Sequence, residues 1–201
     1  MLAIYFTGLI TSLGLIVAIG AQNAFLLRQG LRGEHVFVLA SICAVSDAIL
    51  ISAGVAGFGV AVKAAPWLEP VMRYGGAAFV AFYGLRSLQA AFRGAASLNP
   101  ADAPAMPLGK AVLTCLAFTW ANPHCYLDTV VFLGSISTRF TPHQWTFGAG
   151  AATGSFLFFF ALGYGSRLLQ PLMARPSSWR ILDAIIGLTM AGLALKLVTS
   201  A

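Results

Sequence analysis

The chain has 201 residues, of which 59% are hydrophobic and 9% charged, with a formal net charge of +6. Soluble domains carry roughly a quarter charged residues, so this composition, with a mean hydropathy of +0.84, excludes a water-covered globular surface and points to lipid as the solvent. Spans of about 20 apolar residues each, six in all, would use nearly the whole length, which argues against a separate soluble domain or a nucleotide-driven motor within the chain.

The first predicted span runs from Leu2 to Leu27. It opens without a basic n-region, so it reads as a span and not as a cleaved signal peptide. Gly20-Ala21-Gln22-Asn23 interrupts it. A glycine beside two amides in an apolar run predicts a break, and broken helix ends in a membrane are tolerated where they line a cavity. The second span, Val36 to Val62, holds Asp47 within Cys43-Ala44-Val45-Ser46-Asp47-Ala48-Ile49-Leu50. A charge at the bilayer centre costs about 2.5–3.5 kcal/mol on insertion scales. Asp47 therefore needs an ion-pair partner, a wet cavity or a proton, and the readings of a fixed pair and of a cation or proton site both stand.

The third span, Leu68 to Phe92, carries Arg73 about one turn in. Arg73 is the nearest candidate partner for Asp47, although a depth gap of roughly 10 Å separates the two backbones. Such a pair would be a gate with which a cationic substrate competes. The polar segment 93–109, with three prolines and Asp102, divides the chain into units 1–92 and 110–201.

The fourth span, Lys110 to Ile136, is interrupted by Asn122-Pro123. Proline removes a backbone donor and clashes with the preceding turn, which predicts either a packing kink or a binding site at a helix break. His124 follows and reads as a proton shuttle or as a packed neutral imidazole. Asp128 lies nearer the end of the span and is a second candidate for a cation. Asp47 and Asn122 each lie about 12 residues into spans entering from one side, roughly 18 Å deep, so one cavity could take both. The fifth span, Trp145 to Leu169, has Gly148, Gly150 and Gly154 for close helix packing. The sixth, Trp179 to Val198, has Asp183 about one turn in, where a helix start favours a carboxylate. Cys43, Cys115 and Cys125 fall inside apolar segments with neither disulfide nor zinc spacing. No metal or cofactor is expected.

The halves are weakly alike. Each opens on a span with an Asn-containing break and continues through a loop with a histidine, His35 or His143. The second spans end in Gly57-Phe58-Gly59 and Gly163-Tyr164-Gly165, and the third spans carry late basic residues, Arg86 and Lys196. With three spans per half the copies lie in opposite orientations, the inverted-repeat plan of many secondary transporters. The expected fold is an all-α polytopic membrane protein of six transmembrane helices in two inverted three-helix repeats, with broken helices near the midplane. Loops one, three and five carry eight Lys and Arg, against four on the other side. The positive-inside rule then puts the termini outside and the long loop in the cytoplasm. It also explains the net charge without a nucleic-acid partner.

Three segments carry a family resemblance: Ala18 through Gly30, Cys43 through Asp47, and Asn122 through Thr129. On these the chain resembles the lysine/arginine exporter family of bacterial inner membranes, over nearly its whole length. The Gln22-Asn23 form resembles the basic-amino-acid branch. The homoserine/threonine branch typically has Pro-Gly-Pro-Asn there and lacks the aspartate of the second segment. Cys125 departs from the apolar residue that relatives often have. The resemblance implies a multi-pass inner-membrane protein that exports L-lysine or L-arginine on the electrochemical gradient. It implies that Asn23, Asp47, Asn122 and Asp128 are the positions to test.

Combining motif and chemistry, Asp47 and Asp128 are expected to meet the substrate's cations. Gln22–Asn23 and Asn122–Pro123 are expected to meet its carboxylate, with Asp47, Arg73 and His124 in coupling or gating. The partners are a basic amino acid and the bilayer, with a homodimer left open. A neutral-amino-acid exporter is the main alternative. A divalent-cation exporter and a membrane thiol carrier are remoter ones.

Overall fold

A computed structural model describes residues 1–17, 20–57, 68–93, 105–174 and 176–199. Among them every regular element is helical. The first expected span is two helices, α1 (Leu2–Ile16) and α2 (Ala21–Arg32), bent by 84° from one another. α2 ends at Gly33, whose φ of 69° is the left-handed C-terminal stop that glycine accepts without strain. A tight turn leads into α3 (Val36–Val55), and α4 (Leu68–Arg93) follows.

The expected fourth span is also in pieces. α5 (Leu108–Trp120) stops before Asn122-Pro123, and Pro123 opens the short α6 (Pro123–Tyr126). Proline suits that first helical position because its missing N–H has no helical partner there. A π-helical stretch, Leu127–Leu133, continues into α7 (Gly134–Ser137). α8 (Gln144–Gly165) and α9 (Pro176–Thr199) complete the chain, joined by a 3₁₀ stretch over Ser166–Ala174.

Three segments are long and apolar enough to cross a bilayer unaided: Val36–Val55, Gln144–Leu169 and Ser177–Leu195. The bent α1–α2 pair makes a fourth if it counts as one span. Six full spans are not met by length and hydropathy alone. α5 has only 13 residues, and α4 is diluted by Glu69, Arg73, Arg86 and Arg93.

α1 packs on α8, α4 packs on α9, and α3 packs on α8, α5, the π stretch and α7. Small residues set these approaches. A Cβ on Gly8 would fall on the Phe147 carbonyl oxygen, and one on Gly150 on that of Tyr5. A Cβ on Gly134 would likewise press on the Gly54 carbonyl of α3, and one on Gly54 on the carbonyls of Thr129 and Val130 in the π stretch. The main core joins Phe25, Leu26, Leu39, Cys43, Phe118 and Phe159 from α2, α3, α5 and α8.

Candidate functional site

Each helix break leaves carbonyls with no helical partner, and in a low-dielectric surround these must be satisfied. At the first break the Asn23 side-chain amide donates to the carbonyl of Ile16, the last residue of α1, at 2.7 Å. At the second, the Tyr126 hydroxyl donates to the carbonyl of Trp120, the last residue of α5, at 2.9 Å. A side chain just beyond the gap thus closes each preceding helix. Both breaks are built features of the fold.

Between them lies a cavity of about 100 Å³. A single water takes about 10–15 Å³ on this measure, so it has room for several waters or a small polar group. Ser12, Leu15 and Ile16 line it from α1, and Gly20, Gln22 and Asn23 from the first break and the start of α2. Asp47 and Ile51 face it from α3, and Phe159 from α8. The second break contributes Asn122, Cys125, Asp128, Thr129 and Leu133. All five predicted polar site residues with described side chains, Gln22, Asn23, Asp47, Asn122 and Asp128, therefore share one cavity. Pro123 and His124 lie in α6 and Arg73 in α4, but their side chains fall outside the described residues.

Asp47 is 4% exposed. Its Oδ2 accepts a hydrogen bond from the Ser155 hydroxyl of α8 at 2.9 Å. Among the described residues no Lys or Arg side chain stands within 4 Å of it. Asp128 is half-buried in the wide π-helical turn. Gln22 accepts from the Cys125 thiol at 3.8 Å, while its Nε2 is buried without a hydrogen-bond partner among the described residues. The Ser12 hydroxyl, fully buried, has no partner either. A cavity with a carboxylate lacking a described counter-cation, and with two polar groups unsatisfied among the described residues, offers hydrogen-bonding and charged groups to a polar solute.

Sequence reasoning missed Ser12, Ser155 and Thr129. Small hydroxyls in apolar helices are common packing residues, and only the tertiary fold brings these to the cavity. It also read Asp183 as a helix-start carboxylate. The structure instead pairs it with Arg28 of α2 at 2.7 Å.

The sequence profile of the LysE type translocator family matches residues 13–201. The chain is 46% identical over 185 residues to a protein of Mycobacterium bovis and to two of Mycobacterium tuberculosis, strains CDC 1551 and H37Rv, with 92% of each chain covered. All three carry the name "putative amino-acid transporter". No solved structure matches the chain.

Proposed function

The chain belongs to the LysE type translocator family, and on that premise we propose that it exports basic amino acids, L-arginine or L-lysine, across the bacterial inner membrane. As a family member with several apolar crossing helices it is a multi-pass membrane transporter and not an enzyme. Amino-acid transport follows its relatives. The basic side chain is argued from the site. The observation that carries it is Asp47: a carboxylate 4% exposed, facing a cavity, hydrogen-bonded to Ser155, with no described Lys or Arg in ion-pair range. Such a group requires a cation or a proton in its place.

The substrate's side-chain cation and α-ammonium pair with Asp47 and Asp128. Its carboxylate meets the Gln22 amide and the helix-end N–H groups at the start of α2, where Gly20, Gln22 and Asn23 line the cavity. Asn122 and Pro123 present the second break to the same solute. Arg73 serves as the competing gate and His124 as a proton relay.

The packing supports two inverted three-helix units. Exchanging the halves carries α3 onto α8, α4 onto α9, and α1–α2 onto the broken helix of α5 through α7. The α3–α8 and α4–α9 contacts then map onto themselves, and the α1–α8 contact maps onto that of α3 with the second broken helix. Rocking of one unit against the other gives alternating access. Outward movement of a cation works against the inside-negative potential, about 2.3 kcal/mol per charge per 100 mV. One-for-one proton antiport cancels that electrical cost and leaves the pH gradient as drive, with reprotonation of Asp47 as the coupling step.

Cells loaded with an arginine- or lysine-containing dipeptide test this directly. Asp47→Asn abolishes export at equal expression, and undiminished export would remove Asp47 from the mechanism. Counterflow in proteoliposomes, with arginine, lysine, threonine and homoserine as competitors, tests the substrate class. Displacement by the neutral pair alone would favour the neutral-amino-acid reading.

A further inference from the structure

A second cavity, of about 410 Å³, opens beside α2 and shares no lining residue with the first. Gln22 and Asn23 of α2 face the inner cavity, Arg28, Gln29 and Arg32 face the outer one, and Phe25 lies between them, fully buried against Phe118. Among the described residues the outer cavity is walled by four cations, Arg28, Arg32, Arg86 and Lys110, and by one acid, Glu34.

The ion pairs account for only half of that positive charge. Arg28 is held by Asp183 at 2.7 Å, and Arg32 by Glu34 at 2.6 Å. Glu34 is further committed, since its other oxygen accepts the Met106 N–H at 3.2 Å. Arg86 has the Phe82 ring at 5.8 Å and no acidic partner among the described residues, and the same is true of Lys110 with respect to acids. Two cations are left over on the walls of one cavity. A vestibule of this sign repels a cationic amino acid and attracts an anion. Its remaining wall is apolar and aromatic, with Phe79, Phe82 and Tyr83, and Phe82 is 59% exposed on the outer surface of α4.

We propose that this vestibule binds a phosphate-bearing anion, with Arg86 and Lys110 as the paired ligands of one phosphate group. The chemistry fits the phosphodiester of an anionic phospholipid, whose acyl chains would run past Phe82, and equally a free phosphate. On the six-span reading of the sequence, Arg28, Arg32, Arg86 and Lys110 belong to the loops that carry eight of the chain's twelve Lys and Arg, the side that the positive-inside rule assigns to the cytoplasm. A basic residue near an anionic leaflet is worth about 1 kcal/mol, or about fivefold in binding. Removing both is therefore expected to weaken binding on the order of 25-fold.

The test uses the purified full-length chain in neutral phosphatidylcholine nanodiscs and in detergent. Phosphatidylglycerol added to the discs raises the thermal unfolding midpoint of the unaltered protein. The double variant Arg86→Gln/Lys110→Gln, with an unchanged midpoint in phosphatidylcholine alone, loses that rise, whereas Arg86→Lys retains it. Inorganic phosphate in detergent separates the sources. An equal rise there, lost in the double variant, identifies the site as one for free phosphate, and a rise with the lipid only identifies a lipid site. If the double variant folds poorly in phosphatidylcholine, retention of phosphatidylglycerol through purification, read by mass spectrometry for Arg86→Gln and Lys110→Gln separately, decides instead. An undiminished response or retention in the variants would overturn the proposal, as would the absence of any response to either phosphate source in the unaltered protein.

Discussion

The hydroxyl of Ser155 donates to Oδ2 of Asp47 at 2.9 Å, tying α8 to α3 at the wall of the inner cavity. Ser155 is fully buried and lies outside the residues that line the cavity. A hydrogen bond to a charged group contributes about 1.5–3 kcal/mol. Ser155→Ala is expected to lower stability by roughly that amount and to reduce transport severalfold, less than Asp47→Asn does. Measuring export and thermal unfolding on both variants checks the order. Export by Ser155→Ala at the unaltered rate would show that the bond does not orient the carboxylate for substrate.

The glycine contacts between α1 and α8 are backbone on backbone. At Gly150 an added Cβ lands on the Tyr5 carbonyl oxygen, and neither atom is the end of a flexible side chain. Gly150→Ala must push the helices apart, with a loss of about 1–3 kcal/mol as for other overpacked sites. Gly14, exposed on α1 with nothing within 4 Å of an added Cβ, is the control. There alanine is expected to be neutral or to stabilise by about 0.5–1 kcal/mol, because it removes backbone freedom. Unfolding in mild detergent distinguishes the two, and equal effects would contradict the packing.

The contrast between these residues explains what the sequence could reveal. Asp47 and the Asn122-Pro123 break were legible because each violates the rules of an apolar helix, one by its charge and the other by its missing donor. Their common depth followed from rise per residue alone, and the cavity does join them. Ser12 and Ser155 violate nothing locally, so their roles depend on which helix passes by. The same holds for Cys43 and Cys115, which spacing leaves unrelated but whose sulfurs approach to 3.4 Å between α3 and α5. Asp183 was misread for a related reason. A carboxylate near a helix start has a sufficient local explanation, which hid its partner 155 positions away.

The Arg28–Asp183 pair ties α2 to α9, with the carboxylate side chain 6% exposed and the guanidinium 23%. Removing one partner of a buried pair leaves the other charge desolvated, a loss of about 3–5 kcal/mol, whereas removing both together is far milder. Arg28→Gln should therefore destabilise strongly, and adding Asp183→Asn should recover most of the loss. A double-mutant cycle on unfolding midpoints measures the coupling, and additive losses would mean that the pair contributes nothing.

The Cys43–Cys115 contact provides a test of movement between the two proposed units, because α3 lies within 1–92 and α5 within the proposed unit 110–201, apart from its first two residues. The sulfurs must close from 3.4 Å to the roughly 2.05 Å of a disulfide, a small adjustment for two side chains. Oxidation by copper phenanthroline is expected to join them and leave the thiol of Cys125 free, read as the loss of two hydrogens in intact mass and by maleimide labelling. If the three-helix units rock against each other, this bond fixes α3 to α5 and stops transport in proteoliposomes, and a reducing agent restores it. Cys115→Ala is expected to transport before and after oxidation alike. Full transport by the cross-linked protein would mean that α3 and α5 move as one body, and the moving boundary would then lie elsewhere than between the halves.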